Sequence, residues 1–123
     1  MRTAPTEEQI QQIRHNFRRC REGTVDAIID LQRTGDPELI PTIVRGIVWR
    51  YVRENVRPIV DQATAETPLA SLGIDSLTMM EVVLDVQDAL DLVIEDADLK
   101  QMSTIGDVIG FLQQRFAEIH RVG

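Results

Sequence analysis

The sequence predicts an all-α protein. Apolar residues recur at spacings of three and four along most of the chain, which is the period of a helix with one buried face. No segment shows the sustained period-2 alternation of a half-buried strand, and aromatic residues, which favour strands, make up only 4% of the chain. A chain of 123 residues has the ordinary size of one domain.

Two helices are predicted in the first 36 residues. Thr6, followed by Gln9 three positions later, forms a capping-box pattern that starts a helix over residues 7–22. A second helix covers residues 24–33. Each is expected to end at the glycine that follows it: Gly23 and Gly35. The first helix carries a narrow apolar stripe formed by Ile10, Ile13, Phe17 and Cys20. We expect this stripe to pack on the chain's own helices or, alternatively, on a second copy or a partner enzyme.

A third helix is predicted over residues 37–55, with Asp36 as its N-cap. Pro41 removes a backbone donor near the start, so the regular helix could instead begin there. Residues 57–71 are expected to form a connector without regular structure, because Pro58 and a polar run interrupt it. Four apolar side chains could hold this connector on the core: Ile59, Val60, Leu69 and Leu72.

Three helical segments complete the pattern. The first is capped by Asp75 and runs to residue 90. Residues 96–101 form a single short turn, and the last helix covers residues 104–119.

The net charge of −7 lies entirely in the C-terminal half. Residues 68–123 carry ten acids against three basic residues, while the acids and arginines of the first 67 residues balance. Such a surface disfavours nucleic acid and favours basic partners. No apolar run approaches the ~20 residues of a membrane span, and no signal-like segment opens the chain, so we expect no stable membrane insertion and a cytoplasmic location. The single cysteine, Cys20, is predicted to be a small buried residue rather than a catalytic thiol.

Ser76 is the residue most suggestive of function. It is predicted at the first turn of the helix that Asp75 caps, so its hydroxyl should point outward. A phosphate ester on this hydroxyl would meet free backbone N–H groups and the positive end of the helix dipole.

From residue 37 to residue 117 the sequence resembles the acyl carrier proteins. Asp-Ser-Leu alone is a weak motif, and its value comes from the helix start, the long preceding loop and the acidic half around it. The resemblance implies a four-helix acyl-carrier-type bundle over residues 37–123, preceded by a helical extension, residues 1–36, of one or two helices. Three segments and Glu81 carry the likeness: Leu72-Gly73-Ile74-Asp75-Ser76-Leu77, Ile94-Glu95-Asp96-Ala97-Asp98-Leu99 and Ser103-Thr104-Ile105.

The resemblance also implies a cofactor and a mechanism. A phosphopantetheinyl transferase, using coenzyme A and a divalent metal, attaches 4′-phosphopantetheine to Ser76, whose oxygen attacks the pyrophosphate and becomes a phosphodiester. The thiol of the arm carries acyl groups as thioesters between acyl-transferring and ketosynthase-type enzymes of fatty-acid, specialised-lipid or polyketide synthesis. The carrier has no catalytic residue and no metal site of its own. Gly73 would allow close backbone approach before the turn, and Asp75 would also help bind the metal in the transferase complex.

The helix after Ser76 has more apolar residues than one buried face requires. Five are assigned to the core: Met79, Val82, Val83, Val86 and Leu90. The remaining apolar residues form an exposed stripe, with acidic residues beside it: Leu77, Met80 and Leu84, beside Glu81, Asp85 and Asp88. Such a surface fits the docking of enzymes with basic surfaces. The alternative is that the N-terminal extension covers the stripe. The family pattern further implies an acyl pocket, lined by Leu69, Leu72, Met79, Val86, Ile94, Leu99 and Met102.

Two departures disfavour housekeeping fatty-acid synthesis and are compatible with a dedicated polyketide or specialised-lipid pathway. Pro68 stands where many fatty-acid carriers have phenylalanine, and Ile74 where many have alanine. An aminoacyl or peptidyl carrier is a close alternative, and a helical interaction module without a cofactor is another. A serine hydrolase is disfavoured, because no glycine-flanked elbow surrounds the serine and nothing marks His15 or His120 as its base.

Overall fold

A computed structural model describes residues 4–119, and the predicted all-α class is confirmed. This part of the chain forms seven α-helices: α1 (Glu7–Asn16), α2 (Thr24–Thr34), α3 (Ile40–Tyr51), α4 (Arg57–Gln62), α5 (Ser76–Leu90), α6 (Asp96–Leu99) and α7 (Ile105–Ile119). Short 3₁₀ turns precede α3, α4 and α5: Pro37–Leu39, Glu54–Val56 and Leu69–Leu72. Within the described residues, the strand-like geometry amounts to one isolated antiparallel bridge between Pro68 and Thr104.

The core is built around α3. This helix contacts α2, α4, α5 and α7, and a helix surrounded in this way must be apolar over more than one stripe. The sequence meets that demand, since six of its residues are buried: Ile40, Ile43, Val44, Gly46, Ile47 and Val48.

The N-terminal helices belong to the same core. Phe17, Ile28 and Leu31 are buried in one cluster with the apolar residues of α3, α5 and α7. α1 packs on α2, and α2 packs on α3 and α5. The apolar stripe of the first helix therefore packs on the chain's own helices.

α1 is shorter than predicted. Its capping box forms as expected, with Thr6 and Gln9 each donating a backbone N–H to the other's side chain. The helix nevertheless ends at Asn16 rather than residue 22, because the chain turns and the Arg21 N–H leaves the helix to reach the Gly46 carbonyl, 3.3 Å away. The turn still buries Phe17 and Cys20.

Gly23 does not end the first helix. It precedes α2 as its N-cap, with φ of +94°, a conformation that glycine adopts without strain. Gly35 closes α2 as predicted.

The third helix is divided. Pro37–Leu39 is a 3₁₀ turn, and Pro41 lies in the first turn of α3, where its missing N–H has no intrahelical role. α3 ends at Tyr51 because Val52 is extended. The prediction of one helix over residues 37–55 was therefore too long at both ends, and the alternative start near Pro41 is the better one.

The connector is more ordered than predicted. It contains α4, in which Pro58 lies in the first turn and starts the helix rather than preventing it. Arg45 of α3 stabilises the other end by donating to the Ala63 carbonyl at 2.7 Å and the Val60 carbonyl at 3.2 Å. Val60, Leu69 and Leu72 are buried as expected, but Ile59 is 54% exposed and does not hold the connector.

The end of the connector is fixed to the start of α7. Backbone N–H groups of Ile105 and Gly106 donate to the carbonyls of Thr67 and Ala65, at 3.0 and 2.8 Å. The Leu69 N–H donates to the Ser103 carbonyl at 2.9 Å. These bonds satisfy donors that a helix N-terminus leaves free, and they fix the loop that leads to α5.

Gly46 marks the closest approach of α2 and α3. A Cβ placed there would lie 2.8 Å from Thr24 Cβ and 2.9 Å from its Cγ2, and Thr24 is buried. We expect Gly46→Ala to lower the free energy of unfolding by about 1–3 kcal/mol through overpacking. Gly110→Ala is the matched control, since a Cβ there meets nothing within 4 Å, and it should raise stability by about 0.5–1 kcal/mol. Urea denaturation measures both, and equal effects would contradict this packing.

Candidate functional site

Ser76 is the first residue of α5 and is exposed. Asp75 precedes it in extended conformation and caps the helix as predicted, its Oδ1 accepting the Thr78 N–H at 2.8 Å. The Ser76 hydroxyl makes no hydrogen bond to another residue in the described range 4–119, so it is available for reaction. The site is thus a free hydroxyl at a capped helix N-terminus.

The approach to Ser76 is held by burial on both sides of Gly73. Leu72 and Ile74 are buried, and the Ile74 N–H donates to the Leu69 carbonyl at 3.3 Å. Gly73 has φ of +86°, and a Cβ on it would meet nothing within 4 Å. The predicted reason for this glycine was therefore wrong, because it serves a left-handed turn and not a close backbone approach.

The cap also sets the charge beside the serine. The Thr78 N–H stabilises the ionised carboxylate and holds the pKa of Asp75 below its ordinary value of 3.8. Asp75 is therefore anionic at neutral pH, at a helix end whose partial positive charge favours it.

An apolar cleft opens beside Ser76. It has a volume of about 490 Å³ and lies between the loop of residues 63–75 that leads to Ser76 (the attachment loop), α5 and the segment around α6. Four residues of the predicted acyl pocket line it: Leu69, Met79, Leu99 and Met102. Met80 and Ile74 line it as well, although the sequence had placed Met80 only on the exposed stripe.

The other three predicted pocket residues lie elsewhere. Leu72, Val86 and Ile94 are buried in the hydrophobic core and do not line the cleft.

The exposed stripe of α5 is present. Leu77, Met80 and Leu84 are 74%, 54% and 59% exposed, so the N-terminal helices do not cover them. Glu81 and Asp88 are exposed beside the stripe.

Asp85 does not lie free on this surface. Its side chain is only 20% exposed, and its Oδ2 accepts from the Tyr51 hydroxyl at 2.6 Å and from Arg50 at 3.2 Å. Burial, and then the bond to Asp85, raise the pKa of the Tyr51 phenol above its usual range, so it remains a donor. The expectation that Asp85 is an exposed acid beside the stripe was wrong, because this carboxylate links α5 to α3. Its docking role stays a prediction.

Cys20, a further candidate for catalysis, is unsuited to it. Cys20 is buried, and burial together with the nearby Asp85 charge raises the pKa of its thiol to about 11, which opposes thiolate chemistry. Its predicted burial is confirmed. His15 is an exposed residue of α1, and His120 lies outside the described residues.

Comparison with known proteins identifies the class of the chain. Residues 50–112 match the family model for the phosphopantetheine attachment site, and Ser76 lies within this range. The chain is 38% identical over 69 residues to the acyl carrier protein of an Exiguobacterium species, covering 55% of this chain and 87% of the relative. It is 34% identical over 74 residues to that of Desulforapulum autotrophicum, covering 58% and 96%. A third relative, from Thermotoga maritima, is 34% identical over 55 residues, covering 44% and 68%.

The chain belongs to the acyl carrier protein family, whose members carry acyl groups on a covalently attached 4′-phosphopantetheine. Membership implies contact with a phosphopantetheinyl transferase and with acyl-handling enzymes. No solved structure matched the chain. In residues 4–119, none of the helices has the length and apolar character to cross a membrane.

The cap generates a pH-dependent prediction. Asp75→Ala should lower the free energy of unfolding, and Asp75→Asn, which keeps an acceptor, should lower it less. Because the folded-state pKa lies below 3.8, the contribution of the carboxylate is fully present above about pH 4 and is lost as the pH falls through the depressed value. Urea denaturation should therefore show a gap between wild type and Asp75→Asn near neutral pH that closes on acidification.

Asp88→Asn is the control for this series. It alters an exposed carboxylate of the same helix that accepts no cap bond. A gap for Asp75→Asn that stays constant down to about pH 2 would contradict the role of the charged cap.

Proposed function

We propose that Ser76 is the residue that carries 4′-phosphopantetheine. The observation that carries this proposal is its exposed, unbonded hydroxyl at the N-terminus of α5, at the mouth of the apolar cleft. The other two serines of the chain are less suited. Ser71 donates its hydroxyl to the Pro68 carbonyl at 2.6 Å. Ser103 lies before Thr104, which caps α7 by accepting the Asp107 N–H at 3.0 Å, so Ser103 is not in the first turn of a helix.

The site residues fit the group they would hold. The first turn of α5 points backbone N–H groups and the positive end of its dipole toward a phosphodiester on Ser76. When bound, the arm supplies the thiol on which acyl groups travel. Asp75 positions the serine by capping the helix, and we infer that it also faces the metal of the transferase.

The apolar cleft is proposed as the cargo site. Leu69 and Leu99 form part of its wall, and Met79 and Met102 supply flexible side chains that can adapt to chains of different shape. Pro68 and Ile74, the two departures from the common pattern, both line this cleft. We infer that these two residues shape it for the cargo of a dedicated polyketide or specialised-lipid pathway.

The chain is proposed to catalyse no step itself and to act through docking. The exposed stripe of Leu77, Met80 and Leu84 offers apolar contact area, and Glu81 and Asp88 attract a basic partner surface. A cytoplasmic location stays a prediction from the sequence.

Intact mass tests the attachment residue. We expect the protein, incubated with coenzyme A, a divalent metal and a phosphopantetheinyl transferase of broad specificity, to gain the mass of one phosphopantetheine, and Ser76→Ala to gain none. Ser103→Ala is the matched control, because Ser103 also lines the cleft, and it should be modified like wild type. Modification of Ser76→Ala, or of no protein with several transferases, would rule out this assignment.

The rate of the same reaction tests the docking surface. Leu84→Ala removes an exposed side chain, so it should leave the unfolding midpoint nearly unchanged and lower the transferase kcat/KM by about tenfold. Val93→Ala is the control, since Val93 is 67% exposed outside α5, and it should change kcat/KM by less than about twofold. Equal effects of the two changes would count against docking on α5.

A further inference from the structure

A second cleft lies on the side of the bundle where the turn after α1 meets the end of α3. It has a volume of about 620 Å³. Four arginines and two aromatic residues line it above Cys20, with no acidic residue among the lining side chains: Arg18, Arg19, Arg50, Arg57, Trp49 and Tyr51. This concentration of positive charge is notable on a chain whose net charge is −7. We call it the arginine cleft.

Three of these arginines lack an ion-pair partner among the residues that the structure describes. Arg18, Arg19 and Arg57 form no ion pair within residues 4–119, whereas Arg50 pairs with Asp85. Uncompensated cations gathered in one concave site repel each other and attract an anion.

Two contacts with Trp49 fix the orientation of the Arg57 side chain. Its Nε donates to the Trp49 carbonyl at 3.2 Å, and its guanidinium carbon lies 3.8 Å from the centre of the Trp49 ring. These contacts fix the plane of the guanidinium. Its terminal N–H groups donate to no other residue between 4 and 119, and they form the fork that matches a carboxylate or phosphate. Arg18 is fixed in part through its 2.6 Å bond to the His15 carbonyl.

The arginine cleft adjoins the exposed stripe of α5. Arg50 and Tyr51, which line it, both bind Asp85, the neighbour of Leu84 in the sequence. A protein docked on Leu84 and Glu81 would therefore reach the edge of the cleft.

From this arrangement we propose that the arginine cleft binds an acidic polypeptide segment of an enzyme that docks on α5. This proposal rests on the proposed docking function of α5. A lipid surface is disfavoured because the site is concave and a net charge of −7 opposes approach to anionic membranes. The arginines without an ion-pair partner come from two separate segments, the turn after α1 and the start of α4. Cations on separate segments are better matched by several spaced carboxylates on a peptide than by one small anion.

The partner would then meet two opposite charges. It would place basic groups on Glu81 and Asp88, and acidic groups in the arginine cleft. A docking surface that carries both positive and negative charge fixes the orientation of the docked partner. It also rejects partners whose docking surface is basic throughout, because these would be repelled by the arginine cleft.

Trp49 is the single tryptophan of the chain, so its fluorescence reports on the arginine cleft. We expect hexaglutamate to change this fluorescence saturably, with binding that weakens as salt is added, while hexaglutamine has no effect. Arg19→Glu should raise the Kd about tenfold, and it should fold normally because Arg19 is exposed. Arg33→Glu, an equal charge change at an exposed residue of α2, should raise the Kd less than about twofold.

The proposal fails if the fluorescence change with hexaglutamate does not saturate. It also fails if Arg19→Glu and Arg33→Glu weaken hexaglutamate binding equally. It also fails if only inorganic phosphate, pyrophosphate or phosphatidylglycerol vesicles give a saturable change. Repeating the titration with Ser76→Ala keeps the two hypotheses apart, because peptide binding should be unaffected by that substitution. If Ser76 is loaded with phosphopantetheine but no peptide binds, only the proposal for the arginine cleft is refuted. If the peptide binds but Ser76 is not loaded, only the assignment of Ser76 is refuted.

Discussion

The position of α5, the helix that begins at Ser76, depends on its attachment to α3. α3 is buried against α2, α4, α5 and α7, so its own orientation is fixed from several sides. Two polar side chains at its C-terminal end, Arg50 and Tyr51, then bind Asp85 of α5. A largely buried carboxylate with two donors is costly to separate from them, since it would lose both bonds while its desolvation remains. The helix that presents Ser76 is therefore held by packing along its length and by one ionic hydrogen-bond group near its middle.

The attachment loop is fixed independently, from the other side of the site. Its carbonyls accept the first N–H groups of α7, and its Leu69 N–H donates to Ser103. Ser103 and Leu69 also line the apolar cleft, so the same backbone bonds that order the loop shape one wall of the proposed cargo site. The opposite wall belongs to α5 through Met79 and Met80. Opening of this cleft would thus require movement between two fixed elements, and the methionine side chains are the part that can adapt most easily.

Local signals in the sequence predicted the features that depend on local chemistry. The caps at Thr6 and Asp75, the stop at Gly35 and the helical periodicity of α5 and α7 all follow from side chains within a few positions of one another. Features that depend on tertiary contact were missed. α1 ends early because Arg21 bonds to Gly46, and α4 forms where Arg45 satisfies its last carbonyls. Asp85 looked like one more exposed acid, because nothing in its neighbourhood shows that Tyr51, 34 positions earlier, will bind it.

The arginine cleft was missed for the same reason, and it changes the role of the N-terminal extension. In sequence, Arg18 and Arg19 are balanced by nearby glutamates and look like a solvated helix face. The early end of α1 turns them instead toward the end of α3, where Trp49 holds Arg57. The extension thereby contributes charge of the opposite sign beside the proposed docking surface of α5, in addition to packing on α3. A carrier that must be distinguished from others by its enzymes gains selectivity from such a feature without any change at Ser76, because a partner that carries only basic groups is met by repulsion on one flank.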